Sequence, residues 1–492
     1  MATTKAIGAN EWRKKEANGS SEILPPESGP VKSACLKAWV FLKKAWEVGV
    51  DDPRKVIHCV KVGLALTVVS LFYYTRPLYE GFGGNAMWAV ITVVVIFEHT
   101  VGATICKCLN RAAGTFIAGF LAVGVHYIAC QSGEKFEPII VGVSVFLLAS
   151  AATFSRFIPV IKARFDYGAM IFIMTFSLVS LSGYRVEKLL DLAYERLSTI
   201  ILGTTICLLT SMLVCPIWAG EELYHLIIRN MDNLADSLDC CAALYFSDGR
   251  RTIGVDEGSE KKLEGYKCVL NSKAVEESMA GFARWEPAHG YFSFRHPWKL
   301  YLTVGVSMRS CACRIEALNS CLISETDLQA PDTIKKHVSD ICLRVSIKCS
   351  SVIRELATNI KTMRKSPKLD LLIEEMNAAV EELQNDLKVL PALLVPRNGN
   401  GNGNGEGEPE RNSRTSSPVP LAELIPLATF ASLQIEIAAR VEAIVDAVEK
   451  LGSMAEFKPA TDEKSKKNKL GDMILADDDG IEEEAIKVLS KV

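Results

Sequence analysis

In the stretch Cys106-Lys107-Cys108-Leu109-Asn110-Arg111, two strong cations stand four residues apart inside a long apolar run. On a helix that spacing puts both on one face. A charge at the centre of a bilayer costs about 2.5 to 3.5 kcal/mol even on lenient scales, so charges held there need an anion, a carboxylate or water to offset the cost. The small residues around and after them, Ala112, Ala113, Gly114, Ala118 and Gly119, let a neighbouring helix approach closely and turn this face inward to a crevice. The same spacing also suits anchors that reach out to phosphate headgroups, and spacing leaves both readings open. Arg196, with Glu195 beside it, enters the last apolar run from the other end; a local ion pair is its plainer reading. Lys61 lies one turn into the first apolar run, where it either adds to a basic mouth or snorkels to the surface. Basic residues approaching one pathway from both ends make an electropositive conduit that attracts anions, carboxylates among them, and repels cations.

The elements that must position these charges are six apolar stretches, at residues 57–75, 85–97, 101–130, 139–154, 167–183 and 197–218. A bilayer core about 30 Å thick needs about 20 mostly apolar residues per helix, fewer where neighbours shield its ends, so all six are candidates, and the short second stretch is either a span or a re-entrant or buried segment. An even number of spans returns both termini to one side. Arg54, Lys55 and Lys61, then Lys107 and Arg111, then Arg156, Lys162 and Arg164 mark the cytosolic face. Arg76, Lys135, Arg185, Lys188 and Arg196 lie on the opposite face, mixed with Glu80, Glu134, Glu137, Glu187 and Asp191.

The whole chain agrees with this division. It has 492 residues, long enough for a membrane domain and a soluble one, and its mean hydropathy of +0.18 is high for a soluble protein with 23% charged residues. The formal net charge is only −3, so no basic coat for nucleic acid exists. The 15 cysteines are scattered, several inside apolar runs (Cys59, Cys130, Cys207), and no CxxC pair occurs. Reduced thiols used for packing are the expected state. The polar first 34 residues lack the apolar core of a signal peptide, so a cytosolic N-terminus is expected. Gly-x-Ser-x-Gly, P-loop, His-Glu-x-x-His and dinucleotide motifs are missing from the sequence, which argues against an enzyme, against ATP-driven transport and for no cofactor. His99 next to Glu98 reads as structural, and Gly81, Gly83 and Gly84 as turn chemistry on an outer loop.

After residue 218 the pattern becomes that of charged amphipathic helices, with Leu223, Ile227, Met231, Leu234 and Leu238 at helical spacing. Further helices are expected at 261–279, 296–322, 331–364, 368–390 and 422–451. The resulting division is a cytosolic N-terminal segment (1–50), a six-helix membrane domain (51–218), a cytosolic helical domain (219–396), a disordered Gly/Asn/Ser loop (397–420), a cytosolic helix (421–457) and a charged mobile tail (458–492). The loop carries an Asn-Gly repeat that cannot build a core. Ser416 and Ser417, after Arg414 and before Pro418, make it a target for a protein kinase.

Several motifs together resemble the plant aluminium-activated malate transporter family, whose members are anion channels. They are Gly84-Asn85-Ala86-Met87-Trp88-Ala89-Val90, Gly102-Ala103-Thr104 through Leu109-Asn110-Arg111, Phe165-Asp166-Tyr167-Gly168 and Arg196-Leu197-Ser198-Thr199. Cys215-Pro216-Ile217-Trp218-Ala219-Gly220, Trp285-Glu286-Pro287-Ala288-His289-Gly290 and Phe294-Arg295-His296-Pro297-Trp298 follow. The resemblance implies an all-α membrane homodimer, six transmembrane helices per subunit, a cytosolic helical domain, and Arg111 and Arg196 lining a pore between subunits. It also places Glu80, Glu187 and Asp191 on outer acidic positions that bind aluminium in responsive members, with Glu80 standing where that pattern has Asp. In the motif from Trp285 to Gly290, Pro287 and Gly290 break the helix and Trp285 and Trp298 offer area for packing, while an exposed Glu286 and His289 could touch the membrane domain.

The expectation is therefore a passive channel for malate and inorganic anions (chloride, nitrate, sulfate), gated by voltage or ligand, with membrane lipid around it and Lys107 and Lys61 beside the pore arginines. The alternatives are a coupled carboxylate or aromatic-acid exporter, or a membrane-anchored signalling scaffold. The plasma membrane is favoured over the vacuolar membrane.

Overall fold

A computed structural model describes residues 30–74, 86–133, 135–183, 189–246, 257–293, 295–324, 332–394 and 421–459. These residues are almost entirely helical, and the chain is an all-α membrane protein. The described residues fall into two compact units, divided between Leu64 and Ala65.

The first unit contains α1 (Pro30–Asp51), which the composition of the N-terminal segment did not suggest, and the first half of α2 (Pro53–Tyr74). Helix α1 carries Trp39, Phe41 and Trp46 at 68%, 71% and 75% exposure.

In the second unit the apolar stretches become α3 (Ala86–Ile96), α4 (Val101–Gln131), α5 (Glu137–Ser155), the short α6 (Pro159–Arg164), α7 (Asp166–Gly183) and α8 (Leu189–Leu213). Among the described residues, 53–72, Val101–Gln131 and Glu137–Ser155 are helices long and apolar enough to cross a membrane. Shorter apolar helices lie at Met87–Ile96, Asp166–Leu181 and Leu197–Leu213. Large apolar side chains such as Phe116, Phe120 and Phe146 stand 65%, 73% and 71% exposed along α4 and α5, a surface that only lipid or protein can cover. The opposite side of α4 packs on α7, where Ala118, Ala122, Phe176 and Val179 form a small buried cluster. The last apolar run was expected to reach residue 218. It stops at Leu213, because Cys215 takes a left-handed φ of 41° and Pro216 cannot donate to a continuing helix.

The helical domain follows as α9 (Ala219–Phe246), α10 (Glu257–Leu263), α11 (Gly265–Asn271), α12 (Lys273–Ala283), α13 (Trp298–Ser324), α14 (Asp332–Thr362), α15 (Lys368–Leu394) and α16 (Leu421–Met454). The expected single helix over 261–279 is three short ones. Gly265 lies so close to α9 that a Cβ there would meet the Asn233 carbonyl oxygen at 2.9 Å, and Ser237 Oγ accepts from the Tyr266 amide, so the chain turns at that point. Leu223, Ile227, Met231, Leu234 and Leu238, read from spacing as one stripe, are all fully buried in the core that α9 shares with α13, α14 and α16. A two-residue strand, β1 (Arg364–Lys365), pairs in parallel with β2 (Lys458–Pro459), so the first residues of the expected mobile tail are ordered.

Candidate functional site

Helix α4 organises the site. Thr100 caps it by accepting from the Ala103 amide, and its inner face buries Thr104, Cys108, Asn110, Arg111, Gly114 and Thr115. The small residues after Arg111 act as the spacing implies: a Cβ on Gly114 would meet the Gly168 carbonyl oxygen at 2.6 Å, so α4 and α7 cross with their backbones in contact. Asn110 fixes the crossing from one turn below. Its Nδ2 donates to the Arg164 carbonyl at 3.1 Å and to the Cys106 carbonyl at 3.0 Å, holding the entry to α7 against α4. Arg156 pairs with both oxygens of Asp166 at 2.7 and 3.1 Å and closes the same corner from the α5 side. The Leu109-Asn110-Arg111 and Phe165-Asp166-Tyr167-Gly168 motifs are thus the two halves of one helix crossing.

That crossing positions Arg111. Its guanidinium is 2% exposed and donates from Nη1 to the Tyr167 hydroxyl at 3.2 Å, while its Nε has no hydrogen-bond partner. Among the described residues no carboxylate pairs with it. Lys107, one turn earlier, lies with its Nζ 5.6 Å from the Tyr167 ring centroid, so the two cations do share a face as their spacing predicts. They do not make a doubled positive charge. Lys107 forms an ion pair with Glu98 and donates to the Val95 carbonyl at 3.4 Å, so among the described residues Arg111 alone of the two lacks a counter-charge. From sequence, Glu98 stands out only beside His99 and Tyr167 only within a motif, not as the partners of Lys107 and Arg111, because neither position signals a partner for α4.

The remaining predicted site residues divide by what is described. Lys61 is 2% exposed on α2. Arg196 and Asp191 lie within α8, but their side chains are outside the described residues. Glu80, Glu187, Ser416 and Ser417 lie outside the described residues.

Beneath the crossing, three of the sequence motifs meet at one carboxylate. Glu286, in the connection between α12 and α13, was expected to be exposed. It is 3% exposed, because its Oε1 accepts from the amides of Gly102 (3.1 Å) and Ala219 (2.6 Å) and its Oε2 from Gly220 (3.0 Å). One side chain therefore caps two helix N-termini, that of the apolar α4 and that of α9, where a negative charge is favoured. Burial pushes the Glu286 carboxyl up from its ordinary value, and the Gly220 and Ala219 amides, His289 and the Gly102 amide pull it back. The Val101 amide adds a bond to the Ile217 carbonyl at 2.9 Å. The His289 ring stacks on Trp218 with centroids 4.0 Å apart, its Nδ1 lies 2.8 Å from the Pro287 carbonyl, and its Nε2 lies 4.0 Å from Glu286 Oε2. Two glycines are required here. A Cβ on Gly102 would meet the Phe282 carbonyl oxygen at 2.5 Å, and one on Gly220 would meet the Trp298 ring at 2.4 Å. Trp298 is buried as expected, whereas Trp285 is 41% exposed and contributes little to the core.

The described residues thus form a set of apolar membrane helices joined through a buried carboxylate to a helical bundle, with Arg111 buried on the face of α4 that packs on α7. Comparisons with known proteins then place the chain in a family. Residues 46–419 match the family described as aluminium activated malate transporter. The chain is 49% identical to aluminum-activated malate transporter 10 of Arabidopsis thaliana, over 96% of this chain and 98% of that protein. It is 44% identical to aluminum-activated malate transporter 2 of the same plant, over 85% and 78%, and 39% identical to aluminum-activated malate transporter 1 of Triticum aestivum, over 86% and 88%. The chain belongs to the aluminium-activated malate transporter family, whose members are named as transporters and not as enzymes.

Proposed function

We infer that the chain is a passive anion channel that conducts malate and small inorganic anions such as chloride, nitrate and sulfate, with Arg111 attracting the anion inside its pathway. The observation that carries this reading is the Arg111 guanidinium, buried with the Tyr167 phenol as its hydrogen-bond partner and, among the described residues, no carboxylate beside it. A buried cation without a counter-charge is costly, and a transiting carboxylate supplies that charge in the planar geometry a guanidinium prefers. A permeant ion must also leave, which a single cation shared with a phenol allows better than a closed ion-pair network. Lys107, held by Glu98, tunes the potential of the same face. Arg196 extends the basic lining, Lys61 on α2 is a further basic candidate, and a second copy of the chain completes the pathway.

The helical domain and both termini face the cytosol, the plasma membrane being the favoured location. Voltage gates and drives the flux, since one charge crossing 100 mV gains about 2.3 kcal/mol. Glu80, Glu187 and Asp191 form an outer site for a hard cation, and Ser416 and Ser417 receive phosphate from a kinase.

The test is the current carried by malate, nitrate and chloride in oocytes, native chain against Arg111→Ala and Arg111→Lys, each normalised to surface protein. Native currents reverse at the anion equilibrium potential. Loss of a charge-assisted contact worth about 1.5–3 kcal/mol lowers malate conductance about 10- to 100-fold in Arg111→Ala. Unchanged conductance at unchanged surface level removes Arg111 from the pathway, and a reversal potential that follows the proton gradient replaces the channel by a coupled exporter.

A further inference from the structure

At the far end of α4 the sequence His126-Tyr127-Ile128-Ala129-Cys130 places an imidazole and a thiol on one helix face, and the chain then turns back into α5 through Glu137. The side chains of His126, Cys130 and Glu137 each offer one ligand atom, and the three atoms lie within 4.8 Å of one another. Cys130 Sγ is 3.4 Å from His126 Nε2, and Glu137 Oε1 is 4.0 Å from His126 Nδ1. Cys130, read from sequence as a packing residue in an apolar run, is exposed. The turn between the two helices is held by its own backbone: Gly133 adopts a left-handed φ of 90°, and its carbonyl accepts from the Phe136 and Glu137 amides at 3.0 and 3.2 Å. Glu137 is thereby fixed at the first turn of α5, facing α4.

We propose that His126, Cys130 and Glu137 form a binding site for a borderline-soft divalent transition metal ion, with Zn2+ as the fitting species, which clasps the end of α4 to the start of α5. One imidazole nitrogen, one thiolate and one carboxylate are ligands zinc accepts, and a fourth position stays open to water. The thiol must lose its proton to solvent as the ion binds. With metal–ligand bonds of about 2.0–2.3 Å, tetrahedral ligands sit about 3.3–3.8 Å apart; the 3.4 Å between Cys130 Sγ and His126 Nε2 is already in that range, and the triad, now within 4.8 Å, must contract by about an ångström for Glu137 to join them. The mixed nitrogen and sulfur set disfavours hard cations such as Ca2+, Mg2+ or Al3+, which take oxygen ligands.

Helix geometry also fixes where the site lies. His126 is 24 residues along α4 from Gly102, which touches the helical domain through Glu286. At 1.5 Å per residue that is about 36 Å, more than the roughly 30 Å of a bilayer core, so the site faces the compartment opposite the helical domain. Only the identity of that compartment rests on the orientation inferred above; binding does not.

The experiment uses the full-length protein in lipid nanodiscs, with Zn2+ titrated against a chromophoric chelator and Co2+ as a spectroscopic substitute. Native protein is expected to take up one ion per chain, and its Co2+ form to show thiolate-to-metal charge transfer. Loss of an outer-shell partner alone typically weakens a metal site about 10- to 100-fold, so His126→Ala, Cys130→Ser and Glu137→Gln should each cost at least that, and Cys130→Ser should abolish the charge-transfer band. In the native protein, Zn2+ should also protect Cys130 from alkylation while Cys313, exposed in the helical domain, reacts unchanged. Zinc affinity in Cys130→Ser equal to native, or alkylation of Cys130 unaffected by Zn2+, overturns the proposal, and unchanged gel-filtration behaviour of each variant confirms that the comparison is between folded proteins.

Discussion

Removing the Glu286 carboxylate should loosen α4 from the helical domain, and the geometry sets the size of the effect. Three amides, of Gly102, Ala219 and Gly220, donate to it at 3.1, 2.6 and 3.0 Å, and the side chain is only 1% exposed. In Glu286→Ala each buried amide left without a partner costs about 1–3 kcal/mol, a ceiling of about 9 kcal/mol for the three. Entry of water into the vacated space and relief of the carboxylate's own desolvation bring the expected loss to about 3–5 kcal/mol. Glu286→Gln keeps the shape, and its carbonyl oxygen still accepts from Gly102 and Ala219. Its amide group then points a donor at the Gly220 N–H, for a loss of about 1–3 kcal/mol. Native, Gln and Ala should therefore rank in that order of stability. Hydrogen exchange in nanodiscs resolves the individual amides: if about 3 kcal/mol is lost locally, exchange at Gly102 and Gly220 rises about 100-fold in Glu286→Ala. Because Arg111 lies nine residues, about 13 Å, further along α4, malate current per surface channel should fall in the same variant while its reversal potential stays constant. The reasoning is refuted if Gly102 exchange in Glu286→Ala stays at the native rate, or if only helical-domain amides respond.

Other consequences are as concrete. His296 is buried against Tyr301, and burial, aided by the nearby His289, holds its imidazole down to about 4. The unfolded chain protonates it near the ordinary value and the folded chain does not, so stability should fall as pH drops from about 6.5 towards 4. The loss is about 3 kcal/mol in total, it should be missing from His296→Gln, and acid denaturation curves of the two proteins measure it. Gly220→Ala drives a Cβ to 2.4 Å from the rigid Trp298 ring and should cost about 1–3 kcal/mol in thermal or denaturant unfolding, an effect that Trp298→Leu partly relieves. Gly114→Ala meets the Gly168 backbone at 2.6 Å and should separate α4 from α7, seen as weaker cross-linking between cysteines introduced on the two helices. Glu98→Gln frees Lys107 from its half-exposed ion pair and should raise malate current at fixed voltage about 1.5- to 5-fold; an unchanged current would show that Lys107 does not act on the anion.

Hydropathy located the apolar helices among the described residues of the membrane domain, most ends to within a few residues, because a surface that faces lipid must be apolar with its backbone bonds closed internally, and that requirement is written in composition. The stripe from Leu223 to Leu238 was legible for a similar reason: its period of 3.6 is the period of the surface it buries. Amphipathic helix α1 was missed because charge and apolar residues alternate there without a long apolar run. The break of 261–279 into three helices was missed because its cause, the approach of Gly265 to Asn233, joins residues more than thirty apart.

The sequence by itself determined that the chain is an all-helical membrane protein, that Lys107 and Arg111 share one helix face, and which motifs mark its family. Tertiary structure decided what those residues do. It showed Lys107 neutralised by Glu98 and Arg111 left with a phenol, and it turned an acid expected at the surface into the buried cap of two helices. It also brought His126, Cys130 and Glu137 to one turn. Periodicity reports which face of a helix is apolar and how far it runs, while the partner of a charge depends on which other helix packs there. That choice is made by close contacts such as Gly114 on Gly168 and Gly220 under Trp298, which no local pattern along the chain encodes.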